Sequence, residues 1–271
     1  MPGGRWLDVG RRTLVMGVLN VTPDSFSDGG RWLDPDRALR HARDMVRHGA
    51  DLVDVGGEST RPGARAVPAQ EELRRVIPAV EALAAEGILV SVDTSKGVVA
   101  EAALRAGAAV VNDVTALRDR ATARAAARHG AGVILMHMKG EPRTMQKAPR
   151  YENVMAEIAD FLRARLEFAL RAGIGRDKLF VDPGIGFGKT AEHNETILRR
   201  LGELRQLGHP VVVGTSRKRF IGTALGGRGI GDRLFGTAAT VAAAVLRGAD
   251  VVRVHDVREM SDVARMTDVL R

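Results

Sequence analysis

Short β-branched runs alternate with amphipathic stretches from one end of the chain to the other, and there are eight of each. The runs are Thr13–Asn20, Asp51–Gly57, Leu89–Thr94, Val110–Asp113, Gly132–Met138, Leu179–Gly184, Pro210–Ser216 and Val251–Asp256. Between the second and third, Leu73, Val76, Ile77, Val80, Leu83 and Ala84 recur at helical spacing behind Pro68 and two Glu, which predicts a helix. Asp34–His48 predicts another, with Leu39, Ala42, Met45 and Val46 inward and its Arg residues outward. Most of these stretches stop at a Gly just before the next strand: Gly49, Gly87, Gly107, Gly130, Gly173, Gly208 and Gly248. Glycine there is the expected left-handed helix stop.

Eight β–α units in 271 residues, with no Pro/Ser-rich linker, fit a single (β/α)8 TIM barrel spanning residues 1–271. A doubly wound sheet is the alternative, with one nucleotide crevice in place of a ring of loops. The distribution of polar residues favours the barrel, whose chemistry lies at the carboxyl ends of its strands. Strand one ends in Asn20, and strand two leads to Glu58, Thr60 and Arg61. Strands three and four end in Asp93 and in Asn112 with Asp113; strands five and six end at His137 and Asp182. Strand seven ends at Ser216 with Lys218 just beyond, and strand eight carries Arg253 and His255, two apart and so on one face. One such residue would be a helix cap; a ring of them marks a site.

Composition narrows the classes further. There is no Cys, so thiolate metal sites, disulfides and a Cys nucleophile are excluded, which fits a cytoplasmic protein. No apolar run is long enough to span a membrane. The net charge of +8 is also what a nucleic-acid binder would show. Only six of the 41 basic residues are Lys, however, and the Arg residues are scattered along helical faces, as at Arg37, Arg40, Arg43 and Arg47. Nucleic acid is therefore not an expected partner. In so Arg-rich a chain, Lys218 between Arg217 and Arg219 suggests a narrow pocket that takes a compact donor.

Two nucleotide-binding motifs are excluded by spacing. In Asp182-Pro-Gly-Ile-Gly-Phe-Gly-Lys-Thr190 a phosphate-binding loop would need Gly at 183, where Pro183 stands, and a dinucleotide loop would need Gly at 189, where Lys189 stands. What survives is a Gly-rich loop presenting Asp182 and Phe187 to the barrel mouth. The seven His show no zinc spacing, whereas Mg²⁺ held by one protein oxygen and a phosphate is compatible with this residue set. Residues 20–30 and 56–63 are rich in turn formers and are candidate lids.

Eight stretches, in order and covering nearly the whole chain, carry a family resemblance. They are Met16–Gly30, Asp54–Gly63, Ser91–Lys96, Asn112–Val114, His137–Gly140 with Met145-Gln146, Asp182–Lys189, Thr215–Lys218 and Arg253–Asp256. The chain resembles the dihydropteroate synthases, the pterin-binding barrels of folate biosynthesis that sulfonamides inhibit. The resemblance implies condensation of (7,8-dihydropterin-6-yl)methyl diphosphate with 4-aminobenzoate, through C–O cleavage to a pterin-methyl cation. It implies a pterin pocket of Asp93, Asn112, Asp182, Lys218 and Phe187, with Asp93 facing the cation. Asn20, Thr60, Arg61, Arg253 and His255 would hold the diphosphate, with the Asn20 oxygen on Mg²⁺. Phe26, Arg61, Pro62, Phe187, Ser216, Arg217 and Arg219 would shape the aminobenzoate site. Asp93, Lys218, Asn20 and Arg253 are the residues expected to carry catalysis. Family precedent also implies a homodimer, through the last helices. Arg219 departs from the pattern, since several members carry Ser there, which puts a side-chain contact to aminobenzoate in question. Corrinoid-linked methyltransferases are the nearest rival; Asn20–Ser27 and Ser59–Gly63 speak against them.

Overall fold

The computed structural model describes residues 7–22, 35–60 and 63–271, with Pro35 described by its backbone alone. Eight parallel strands lie in the order β6-β5-β4-β3-β2-β1-β8-β7: β1 (Leu14–Asn20), β2 (Leu52–Gly56), β3 (Val90–Asp93), β4 (Val110–Asp113), β5 (Gly132–Met136), β6 (Leu179–Asp182), β7 (Val212–Val213) and β8 (Val251–Val254). A parallel bridge from Val181 to Val211 joins the two ends of that order and closes the barrel.

The helices are α1 (Pro35–Arg47), α2 (Ala69–Ala85), α3 (Gly97–Arg105), α4 (Arg120–His129), α5 (Val154–Arg171), α6 (Ala191–Arg199), α7 (Arg219–Ala224), α8 (Leu234–Leu246) and α9 (Val257–Val269). Nine helices among the described residues, against eight amphipathic stretches, reflect a split after β7. Gly226 and Gly227 take φ of +72° and +93° there and end α7 after two turns. The seven anticipated glycine stops all have φ between +59° and +108°. On α1, Ala42 and Met45 are buried as expected, but Val46 is 41% exposed, because the face that meets the barrel is narrower than the apolar pattern.

The period of two along each strand divides the core into two bodies. Val53 and Val55, Val90 and Val92, Val133 and Leu135, and Val252 and Val254 face the helices and pack with them. The alternate positions, Leu14, Met16, Leu52, Val110, Ile134, Phe180, Val212 and Val251, form a separate apolar plug inside the barrel. Register extends this plug upward: Val18 pairs with Asp54, Gly56 with Asp93, Asp93 with Asn112, Met136 with Asp182, and Met16 with Arg253. The interior is thus apolar at the amino ends of the strands and polar at their carboxyl ends.

Phe180, 5% exposed, is the one aromatic residue of the plug. Phe180→Ala is expected to cost about 3–5 kcal/mol, because flanking barrel strands cannot collapse into the void. Urea unfolding of the two forms measures the difference, and a loss below about 1 kcal/mol would mean that the plug is loosely packed.

Candidate active site at the carboxyl ends of the strands

The polar half of the barrel interior is organised around one guanidinium. Arg253 donates from Nε to Asp54 Oδ2 (2.6 Å) and from Nη2 to Asp93 Oδ2 (2.9 Å). Asn112 donates from Nδ2 to the same Asp54 oxygen (2.9 Å). Asp54 is fully buried and Asp93 is 7% exposed, so two carboxylates out of water share one cation. Burial pushes Asp93 up to about 7; Arg253 opposes that rise, while Asp54, Glu72 and Asp113 add to it. Burial also works against the charge of Arg253, but Asp54 and Asp93 outweigh it and its pKa is raised.

Two strands around the barrel from β8 lies the loop after β6. Asp182 Oδ1 accepts from the Gly184 N–H (2.7 Å), and burial raises its pKa against the pull of Lys218. Lys218 donates to the Ile185 carbonyl, and its Nζ stands 4.8 Å from the centre of the Phe187 ring. Burial lowers Lys218 to about 8, with Asp182 resisting, so it stays mostly protonated at neutral pH. Asp93, Asn112 and Arg253 on one side, and Asp182, Lys218 and Phe187 on the other, meet at the strand ends, where a Cβ on Gly214 would lie 3.6 Å from Arg253 Cβ and 3.8 Å from Lys218 Nζ.

The glycines of the β6 loop serve close packing. A Cβ on Gly184 would stand 1.9 Å from the His137 carbonyl oxygen, and one on Gly188 would stand 2.2 Å from that of Lys139. The loop lies on the backbone that follows β5. Lys189, 2% exposed, fastens it there: Nζ is 3.0 Å from His137 Nδ1, 3.3 Å from the His137 carbonyl oxygen and 3.0 Å from that of Phe187. His137 does not join the mouth. It follows the inward-facing Met136, so it points outward, where its ring meets Phe161 edge-on with centroids 5.0 Å apart. Burial and the nearby Lys189 depress its pKa to about 3, which keeps it neutral. Asp113 likewise faces outward and accepts from Thr115 and Leu117.

The second loop is tied near its start by charge. Lys96 donates to Glu58 and to the fully buried Glu72, and Glu58 accepts from the Val67 N–H (3.2 Å). Thr60 is half-buried within this loop. Arg61 and Pro62, like Phe26 of the first loop, lie outside the described residues. Ser216 is buried, and its Oγ accepts from the His255 N–H (3.1 Å) and lies 3.1 Å from His255 Nδ1, joining β8 to the turn after β7. Arg217 is exposed, has φ +59°, and sets its fork on Asp256, with Nε to Oδ2 at 3.0 Å. Arg219 opens α7 and is exposed.

No group of three or more His, Cys, Asp or Glu among the described residues forms a metal cage. The donor set suits Mg²⁺ all the same, since that ion commonly takes one or two protein oxygens and completes its shell with phosphate and water. A Cβ on Gly56 would lie 3.5 Å from Asn20 Oδ1 and 3.8 Å from Asp93 Oδ2, so the missing side chain leaves room beside the Asn20 amide oxygen.

Asp54 and Lys189 are the two site residues that motif reasoning gave no role. Asp54 was marked by parity, since Leu52, Asp54 and Gly56 share the inner face. Lys189 carries no periodic signal, because its partners come from the end of another strand.

A closed barrel with an apolar lower interior, and with carboxylates, an amide, an ammonium and a guanidinium at the carboxyl ends of its strands, defines the class as a (β/α)8 barrel enzyme. The model of the pterin-binding enzymes matches residues 16–255. A relative from Synechocystis, named dihydropteroate synthase, is 46% identical over 254 residues, 93% of this chain and 88% of its own. A Yersinia pestis dihydropteroate synthase solved with a sulfonamide drug complex superposes with TM-score 0.95 at 45% identity, covering 100% of this chain and 98% of that one. A Xanthomonas albilineans dihydropteroate synthase solved with 4-aminobenzoic acid gives 0.90 at 46% identity, covering 96% and 93%. The chain belongs to the pterin-binding enzymes and, within them, to the dihydropteroate synthase family.

The neutral, buried His137 has a consequence for stability. Its pKa is about 3 folded against an ordinary 6.5, so below pH 6.5 the unfolded chain binds a proton that the folded chain refuses, and stability falls with pH. His137→Asn keeps an acceptor for Lys189 without titrating. Between pH 6.5 and 4.5 the variant is expected to lose about 2 kcal/mol less than the parent. Denaturant titrations at the two pH values measure this, and parallel losses would show that His137 is protonated in the fold.

Proposed function

We propose that the protein joins (7,8-dihydropterin-6-yl)methyl diphosphate to 4-aminobenzoate, giving 7,8-dihydropteroate and diphosphate. The observation that carries this reading is the grouping of Asp93, Asn112, Asp182 and Lys218 at the top of one barrel interior, beside the half-buried guanidinium of Arg253. A pterin presents amino and ring N–H donors along one edge and an oxo acceptor beside them. Asp182 and Asn112 suit the donors, Lys218 suits the oxo group, and the Phe187 ring suits a stacked face.

Chemistry follows from charge. The pterin-methyl C–O bond breaks with its electron pair leaving on the diphosphate, and the cation left behind faces the Asp93 carboxylate. The arylamine nitrogen attacks this carbon, forms the C–N bond and sheds a proton to water. Arg253, with His255, Thr60 and Arg61, receives the leaving diphosphate. Asn20 would hold Mg²⁺, which when bound supplies positive charge to the diphosphate oxygens. Ser216, Arg217 and Arg219, with Phe187, are assigned to the aminobenzoate position, and the family resemblance assigns Phe26, Arg61 and Pro62 to it as well. The exposed Arg219 leaves its backbone N–H, rather than a side chain, as the group for the carboxylate.

Three further readings belong to the proposal. The whole chain acts as one domain. It works as a homodimer, a reading supported by exposed apolar side chains on α8 and α9, including Phe235 (87%), Leu246 (51%) and Val269 (79%). It resides in the cytoplasm, a reading supported by the absence of Cys; no helix among the described residues is long and apolar enough to cross a membrane.

Purified protein given both substrates and Mg²⁺ is expected to release pyrophosphate and form dihydropteroate, and a chelator is expected to suppress the rate. Asp182→Asn removes a charge-assisted acceptor and is expected to weaken pterin binding roughly tenfold to a hundredfold. Absence of product from folded protein would overturn the function, and unchanged pterin affinity in the variant would overturn the pocket.

A further inference from the structure

Asp54 lies one layer below the strand-end residues, paired in register with Val18 on one side and Ser91 on the other. It is fully buried and meets no solvent. One of its oxygens accepts both the Nε–H of Arg253, from β8, and the amide of Asn112, from β4. Its other oxygen, Oδ1, is buried with no hydrogen-bond partner among the described residues. A buried carboxylate that leaves one oxygen unsatisfied is costly to keep, and its retention needs a reason.

We propose that Asp54 is a positioning residue, which fixes Arg253 of the diphosphate position and Asn112 of the pterin position through a single oxygen and so sets the spacing between the two. The inference rests on the dihydropteroate synthase reading. The geometry is specific. Arg253 uses Nε on Asp54 and Nη2 on Asp93, so its orientation is set from two strands and its Nη1 edge is left for an anion. Asn112 spends one amide hydrogen on Asp54, which fixes the amide plane and directs Oδ1 and the second hydrogen elsewhere. An Asn at position 54 could put its carbonyl oxygen where Oδ2 is now and keep both bonds. Its NH₂ would take the place of the unpartnered Oδ1. Alanine could keep neither.

The test compares Asp54→Ala and Asp54→Asn with the parent in steady-state kinetics, with calorimetric titration of pyrophosphate and of a pterin as direct readouts of the two positions. Asp54→Ala is expected to raise the KM for the pterin diphosphate and weaken pyrophosphate roughly tenfold to a hundredfold, while the KM for 4-aminobenzoate stays within twofold. Asp54→Asn is expected to bring both affinities back to within about threefold of the parent. Equal rises in both KM values, unaltered affinities in the alanine form, or no rescue by asparagine would overturn the proposal. If the alanine form does not fold, Asp54→Ser takes its place, since a hydroxyl keeps the position polar but does not reach both donors. Failure of both to fold beside an intact asparagine form would assign the carboxylate to barrel stability and overturn a role in the site. Parent turnover separates the two ideas: no turnover in the parent counts against the synthase reading, whereas normal turnover with unaltered constants in the alanine form counts against Asp54.

Discussion

One guanidinium placed between two buried carboxylates is the interaction on which the upper barrel depends. Two ionised carboxylates cannot sit side by side in a dry interior without a cation, and Arg253 is the cation both of them contact. The consequences are chemical. Asp54 takes the deeper share of Arg253, and Asp93, raised to about 7 by burial and by its neighbour, stays at the mouth as a group that a positive charge beside it would draw into its ionised form. Asn112 is drawn into the same arrangement through Asp54.

The barrel delivers these groups together because of its register. On the inner face, residues of the apolar plug precede polar ones along the strand, as Leu52 precedes Asp54, Val110 precedes Asn112, Phe180 precedes Asp182 and Val251 precedes Arg253. A shift of one residue in any strand would exchange its inner and outer sets. The same rule moves His137 and Asp113 to the outside, although each follows directly on an inward-facing residue. Around the rim, struts hold loops against strands: Lys189 for the loop after β6, the Lys96 pair with Glu58 and Glu72 for the second loop, and Ser216 with His255 for the turn after β7.

Much of this was legible in the chain. Strand order, the seven glycine stops and the polar strand ends follow from period, turn chemistry and the known habit of barrels. Listing strand-end residues without their parity, however, merged two faces, which is why His137 stood beside Asp182 in the expected ring. Asp54 lies inside a strand, where parity marks its face but not its partners on β4 and β8. Glu72 looked like a favourable charge in the first turn of α2 and proved fully buried, because its partner Lys96 comes from the start of α3. Such contacts join residues tens of positions apart, and no local pattern encodes them.

On the proposed function, the polar half of the barrel interior holds the pterin beside the shared guanidinium. The most direct measurement is a crystal structure of the protein with dihydropteroate and pyrophosphate bound. The expected result is a pterin ring within hydrogen-bonding distance of Asp93, Asn112, Asp182 and Lys218, with pyrophosphate on Arg253 and Asp54 still bonded to both Arg253 and Asn112. A pterin seated away from these residues, or Asp54 released from Arg253 in the complex, would contradict it.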